Sequence, residues 1–195
     1  MRNLVSSVIA IVIFTALFGF GYPALMTGFA SAAFPHQATG SLVHRNGKIV
    51  GSSLAAQQFT WPRYFHSRPS GTAPAYNAAA TTFSNLGPTN PALKKQVDGQ
   101  IAAILKLEGP YNSGLTVHGI PVDAVTTSGS GIDPDISPAY ARLQTNRVAA
   151  VRHMTVDQVK QLVSDNTDDR TLGFFGEPGV NVLKLNLALD KAQGK

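Results

Sequence analysis

Cysteine is absent from the 195 residues. Disulfide scaffolds, thiolate zinc sites and cysteine nucleophiles are thereby excluded, although the compartment is not fixed, since an exported protein can lack disulfides. Only one stretch is apolar enough to span a bilayer, which excludes a self-contained ion pump or a multi-pass transporter. No G-x-x-x-x-G-K-[ST] loop is present to cradle a nucleotide phosphate. The five histidines, His36, His44, His66, His118 and His153, have no i,i+4 partner and no carboxylate at ligand spacing, so no metal site is expected. Asp133 and Asp135 flank Pro134 without the later ligands of a calcium loop. Turn and N-cap chemistry ahead of Ser137 is their ordinary role.

Charge is scarce, at 14% of residues, while 44% are hydrophobic. That is too apolar and too varied for a disordered tail, and a length near 200 fits one domain, or one domain plus an anchor. The net charge of +5 is unevenly placed. Residues 1–44 carry only Arg2, residues 45–110 carry seven basic and two acidic groups, and residues 111–195 carry eight basic and nine acidic. A basic half could face nucleic acid, anionic lipid or an acidic partner. Its cations are dispersed singly, as Arg45, Lys48, Arg63, Arg68 and Lys106, with one pair at Lys94-Lys95, without the run and interleaved aromatics of a nucleic-acid arm. A solvated surface is the better reading, and nucleic acid is not expected as a partner.

From Leu4 to Met26 there are 23 residues, thirteen of them Leu, Ile, Val, Phe or Met. As a helix the run would rise roughly 34 Å, against about 30 Å for a hydrocarbon core. Residues 1–30 therefore form the expected membrane anchor, with the span over about 4–26, and residues 31–195 the soluble domain. Gly21 and Pro23 weaken its last turn, and Tyr22 suits an interfacial belt. The competing reading is a cleaved leader, with Arg2 as its basic end and Ala30-Ser31-Ala32 as a small-x-small cut. The apolar run exceeds the about 7–15 residues of a signal core, which favours a retained anchor. Arg2 and the free amine on one side place the N-terminus in the cytoplasm and the body of the chain outside, hence periplasmic, by the positive-inside rule. Both readings export that body.

Asn46-Gly47 between apolar runs signals a hairpin with a type I′ turn. Asn90-Pro91 starts a helix, with Leu93, Val97, Ile101, Ile104 and Leu105 at helical spacing before Gly109-Pro110. Ser137-Pro138 starts a second, with Tyr140, Leu143, Val148, Val151 and Met154 on its apolar face and Arg142, Arg147 and Arg152 on other faces. Thr155 and Gln158 form a capping box for a third. Leu183, Leu185, Leu187 and Leu189 alternate with Lys184, Asn186, Ala188 and Asp190, which reads as a half-buried strand. Val122 to Thr127 reads as another. The fold class expected is a single N-terminal transmembrane helix plus one mixed α/β, or α+β, soluble domain.

Two segments are candidates for binding. Ser128-Gly129-Ser130-Gly131 is a Gly-rich polar loop whose bare N–H groups could hold an anion or a carbonyl. A structural turn is the commoner role for such a loop. Ser128 in place of Gly two residues before Ser130 means it is not a nucleophile elbow. Tyr64-Phe65-His66-Ser67-Arg68-Pro69 packs aromatics, a cation and a proline together, as recognition surfaces do. A loop whose aromatics plug the core fits it equally well.

Several stretches, in order, resemble the C-subunit family of the bacterial Kdp-type potassium-transporting P-type ATPases. They are Gly51-Ser52-Ser53-Leu54 with Gln57 and Phe59; Tyr64-Phe65-His66 with Arg68-Pro69; Ser84-Asn85-Leu86-Gly87-Pro88 with Asn90-Pro91; and Val122-Asp123 through Thr127 to Gly131 and Asp133-Pro134. Ile136-Ser137-Pro138, Gln144 with Arg147-Val148-Ala149, and Gly176-Glu177-Pro178 through Val180 to Asp190 complete the set. Together they cover most of the chain beyond residue 20.

The resemblance implies a non-catalytic accessory subunit of a high-affinity, ATP-driven potassium uptake complex in the bacterial inner membrane. Its partners would be a channel-like A subunit, a P-type B subunit phosphorylated on an aspartate, and a small F subunit, all within the lipid bilayer. The chain itself contains neither an Asp-Lys-Thr-Gly-Thr phosphorylation motif nor a filter like Thr-Val-Gly-Tyr-Gly. In the family the C subunit is described as a catalytic chaperone that raises the B subunit's affinity for ATP. No tightly bound cofactor is expected, and ATP would enter through the complex. If the chain touches nucleotide, Ser128, Gly129, Ser130 and Gly131 with Gln144 are the candidate contacts. Tyr64, Phe65, His66 and Arg68 are the candidate partner contacts. An exported domain cannot reach cytoplasmic ATP, so a seat on the outer mouth of the channel subunit is the alternative expectation, with Gly19 and Gly21 allowing close helix approach. Outside the resemblance, two classes compete: a stand-alone exported hydrolase using Ser130 and a distant His, and a lipid- or nucleic-acid-binding module, either of them released by cleavage near Ala32.

Overall fold

The computed structural model describes residues 1–80 and 85–194. It divides into two units, residues 1–50 and 51–195.

The first unit is dominated by a continuous helix, Arg2–Ala33, of 32 residues. It comprises α1 (Arg2–Phe14), a π-helical stretch (Thr15–Gly21) and α2 (Tyr22–Ala33). The helix therefore runs seven residues beyond Met26. Pro23 ought to break it, because it lacks an N–H and crowds the carbonyl four residues back. The π-helical turns just before it re-space the ladder and let the helix continue. Among the described residues this is the only helix long and apolar enough to cross a membrane, and none of it is buried by protein. A short α3 (Pro35–Ala38) follows, then β1 (Leu42–Arg45) and β2 (Lys48–Ser52). Asn46 and Gly47 both have positive φ, at 50° and 74°, as a type I′ turn requires.

In the second unit the three expected helices are present. α4 (Pro91–Glu108) is capped by Asn90, whose side chain accepts from the Ala92 N–H at 2.9 Å. α5 (Pro138–Arg152) is capped by Ser137 Oγ, which accepts from Tyr140 N–H at 3.0 Å. α6 (Val156–Asp165) carries the complete capping box of Thr155 and Gln158. The end of the 84–88 stretch at Ser84 lies outside the described residues.

Two expected strands are not strands. Residues 182–189 lie in a helix, α7 (Val182–Ala192), with Asn181 as N-cap. Val182, Leu183, Leu185, Asn186, Leu189 and Asp190 are its buried residues. Two polar residues among them disguise the 3.6 period, and leucine is among the better helix formers. Val122 to Thr127 does not pair either. It is a single 3-10 turn, Val122–Ala124, in which Asp123 accepts from the N–H and Oγ of Ser137 at 2.7 and 2.9 Å.

The sheet is built instead from β3 (Asp135–Ile136), β4 (Thr167–Asp168) and β5 (Gly179–Asn181), with β5 central and both pairings antiparallel. Ile136 and Thr167 both face Val180. The core gathers Ile136, Val148, Val159, Val180, Leu185 and Leu189 around Phe65 and Tyr140. The domain is a mixed α/β unit in which α5 packs on α6 and α6 on α7.

Candidate functional site

Residues 59–76 form an irregular segment, and such a segment must find partners for its backbone polar groups. Side chains of α5 and α7 supply them. Arg147 Nη1 donates to the carbonyls of Pro62 and, at 2.9 Å, Tyr64. Arg152 Nε donates to the Arg63 carbonyl at 2.6 Å. Asn186 donates to the Phe65 carbonyl at 2.9 Å and accepts its N–H at 2.8 Å. Gln144 does the same for His66, at 3.1 and 2.7 Å. Five consecutive carbonyls, 62 to 66, are thus gripped by four side chains that are themselves buried. His66 Nε2, carrying its ring proton, adds the Trp61 carbonyl at 3.2 Å.

The grip is itself braced. Arg147 is fully buried and donates from Nε to Glu108 Oε1 at 2.8 Å and from Nη2 to Gln144 Oε1 at 2.8 Å. Glu108, at the end of α4, is equally buried, and its Oε2 has no hydrogen-bond partner among the described residues. Burial pushes the Glu108 carboxyl up from its ordinary pKa, against the pull of the Arg147 charge. Burial, and then the Arg147 charge, hold His66 down at about 4, so it is the neutral donor the Trp61 bond needs. Arg152 donates to Asp190 Oδ1 at 2.9 Å and lies over the Tyr64 ring at 4.9 Å, while Tyr64 OH donates to Asp190 Oδ2 at 3.0 Å. Unpaired, a buried arginine would be prohibitively unfavourable; here every guanidinium nitrogen of Arg147 and Arg152 meets an oxygen.

The candidate partner residues therefore separate. Phe65 is buried in the core, as a loop whose aromatics plug the core would have it. Tyr64, His66 and Arg68 are partly exposed. Trp61, unmarked by any motif in the sequence, is 67% exposed on the gripped segment. Its only signal was a lone tryptophan beside a proline.

Arg68 joins this segment to the Gly-rich loop, donating from Nη2 to the Thr127 carbonyl at 3.1 Å and from Nη1 to Asp133 Oδ2 at 3.3 Å. The Gly131 carbonyl accepts from Ser70 Oγ and from the Gly71 N–H, both at 3.0 Å. Within the loop the Gly131 N–H meets Ser128 Oγ at 3.0 Å, and the Ile132 N–H meets Ser130 Oγ at 3.3 Å. Those two N–H groups are not bare, contrary to expectation. A cleft of about 410 Å³ lies between Ser70 to Thr72, Thr127 to Gly129, and Leu93 and Gln96 of α4. No Lys, Arg or His is among its described lining residues, and Gln144 does not line it. The four candidate loop residues thus stay together, while Gln144 is occupied by His66 and Arg147.

Arg147 and Arg152 were read as lying off the apolar face; both are buried, and only Arg142 of the three is exposed. Among the described residues, no group of three or more His, Asp or Glu could hold a metal ion.

Comparison with known proteins adds the following. Residues 4–191 match the family described as KdpC, K+-transporting ATPase, c chain. A potassium-transporting ATPase KdpC subunit of Burkholderia orbicola (strain MC0-3) is 51% identical over 196 residues, covering 99% of this chain and 98% of the relative. Subunits of the same name from Burkholderia mallei (strain SAVP1) and Beijerinckia indica subsp. indica are 52% and 48% identical, covering 95% and 97% of this chain and 94% of each relative.

Proposed function

The chain belongs to the KdpC family, the c chains of K+-transporting ATPases, and from that premise we propose that it is an accessory subunit that stabilises an ATP-driven potassium uptake complex. It is not the catalytic subunit. The observation that carries an assembly role is the grip on residues 62–66. Of the charged and amide side chains that could do chemistry, Arg147, Arg152, Gln144 and Asn186 are occupied in fixing the chain's own backbone, and Glu108 and Asp190 pair with the two arginines. A site so committed presents a rigid surface and does not turn over a substrate.

Residues 1–30 anchor the chain in the inner membrane through the apolar helix, and residues 31–195 face the periplasm. Gly19 and Gly21 leave room on the helix for a neighbouring span. Trp61, with Tyr64, His66 and Arg68 behind it, forms a surface for the channel-like A subunit; the P-type B subunit and the small F subunit complete the assembly. The chain raises the ATP affinity of the B subunit through the assembled state. Ser128 and Gly129 line a cleft with no Lys, Arg or His among its described residues, a poor seat for a triphosphate, and the loop serves to position Ser70 and Gly71 through the Gly131 carbonyl.

Affinity purification of the tagged full chain from membranes in mild detergent tests this. The A and B subunits are expected to come with it. Their absence, with the chain turning over a substrate unaided, overturns the reading. Orientation is read separately, because the chain has no cysteine: Val122→Cys, at an exposed position, should react with a membrane-impermeant maleimide from the periplasmic side of intact cells.

A further inference from the structure

The membrane helix holds one backbone carbonyl that its own amides do not serve. In the π-helical stretch Thr15–Gly21 the ladder runs five residues back, and at its end the Tyr22 N–H donates to the Leu17 carbonyl. The Phe18 carbonyl has two amides within helical reach, four and five residues on. The first is Tyr22, already given to Leu17, and the second is Pro23, which has no N–H. The helix's hydroxyls do not fill the gap. A Ser or Thr hydroxyl bonds a carbonyl three or four residues back, as Ser7 Oγ does to Asn3 at 2.8 Å. At those places after Phe18 stand Gly21, without a side chain, and Tyr22, whose hydroxyl lies at the far end of a rigid ring.

Depth decides what can answer this carbonyl. Phe18 stands at the middle of the 32-residue helix Arg2–Ala33, with roughly 22–24 Å of helix on either side. The hydrocarbon core is about 30 Å thick, so any placement of the helix that spans it keeps the Phe18 carbonyl inside. Acyl chains carry no donor, and an unpaired carbonyl in hydrocarbon is strongly unfavourable. Headgroups and bulk water stay at the interfaces. A protein helix is what brings a donor to that depth. The approach is open, because Gly19 directly follows the carbonyl, and a side chain there would meet only Thr15 Cγ2, at 3.8 Å. We propose that the Phe18 carbonyl accepts a hydrogen bond from a Ser, Thr, Asn, Gln or Trp side chain on a transmembrane helix of another subunit of the complex. The π-helical turn is then a docking feature completed by the partner.

This inference rests on the assembly reading, and the experiment tells their failures apart. The tagged full chain is co-expressed with the other subunits. With p-benzoylphenylalanine in place of Phe18 and irradiation of the membranes before extraction, adducts are expected on a transmembrane segment of another subunit, with one of those donor residues within a turn of the attachment point. Pro23→Ala gives the helix back the missing amide and keeps it helical, since alanine is the better helix former. It should lower co-purification of that subunit about threefold, and at most about twentyfold, the range of single interhelical hydrogen bonds in membranes. Replacing the partner's donor residue by alanine should cost the parent chain a similar factor and the Pro23→Ala chain nothing. Adducts with lipid alone or with a second copy alone, a segment without a donor, undiminished co-purification of Pro23→Ala, or equal losses in both backgrounds overturn the proposal while the assembly reading stands. If the parent chain brings down no other subunit, both fall together.

Discussion

The gripped segment at residues 61–68 and the Gly-rich loop at residues 128–131 are both irregular, and they satisfy their backbones in opposite ways. The loop does much of this locally: Ser128 and Ser130 hold N–H groups two and three residues on. The gripped segment does so across the chain. Its partners lie 78 to 121 residues away in sequence, on α5 and α7. A local solution is nearly independent of the rest of the fold. A long-range one exists only when the whole domain is assembled, so its residues carry stability and positioning together.

The sharpest way to break the comparison is Arg147→Leu. The substitution strands Glu108 and leaves the Pro62 and Tyr64 carbonyls without their donor. Breaking a buried ion pair from one side costs about 3–5 kcal/mol, and a loss of that size is expected in urea unfolding of the full chain. A loss below about 1 kcal/mol would mean that the segment is held by its apolar contacts instead.

His66 gives the comparison a pH dependence. Its folded pKa, about 4, lies below the ordinary 6.5. The unfolded chain therefore binds a proton first as pH falls, and stability drains away between pH 6.5 and about 4, levelling below that. Glu108 works the other way, since its raised pKa lets the folded form take up its proton early. The shift at His66 corresponds to about 3 kcal/mol at most. His66→Gln keeps a donor for the Trp61 carbonyl and removes the titration, so its stability should fall less steeply over that window. An identical slope would assign the acid sensitivity elsewhere.

Asn186→Leu should come next, at about 1–3 kcal/mol, because it leaves the N–H and carbonyl of buried Phe65 unpaired while filling the same space. Hydrogen exchange at the Phe65 amide should accelerate with it.

What could be read from residues alone follows the same division. The caps at Asn90, Ser137 and Thr155, the Asn46-Gly47 turn and the long apolar helix are local, and each was legible. α7 was not, because Asn186 and Asp190 sit on its buried face for the sake of Phe65 and Arg152, 121 and 38 residues away in the chain; an alternating reading of its leucines was the natural result. For the same reason Arg147 and Arg152 fall off the apolar face in the sequence pattern, and Gln144 looked like a ligand contact. Nothing near them in sequence shows the five carbonyls they serve. Phe65 was open between core and surface because aromatic composition alone does not tell a plug from a knob.

The smallest expected effect belongs to the loop. Ser130→Ala removes one hydroxyl, which meets Ser128 Oγ at 3.2 Å and the Ile132 N–H at 3.3 Å, both near the outer limit of useful geometry. Ser130 is exposed, so water can replace what is lost. A change of about 0.5 kcal/mol or less is expected, with potassium-dependent growth intact. The same variant tests the competing enzyme class, because a hydrolase built on Ser130 would lose its activity entirely. A variant that folds normally but abolishes function would move the centre of the molecule from the gripped segment to this loop.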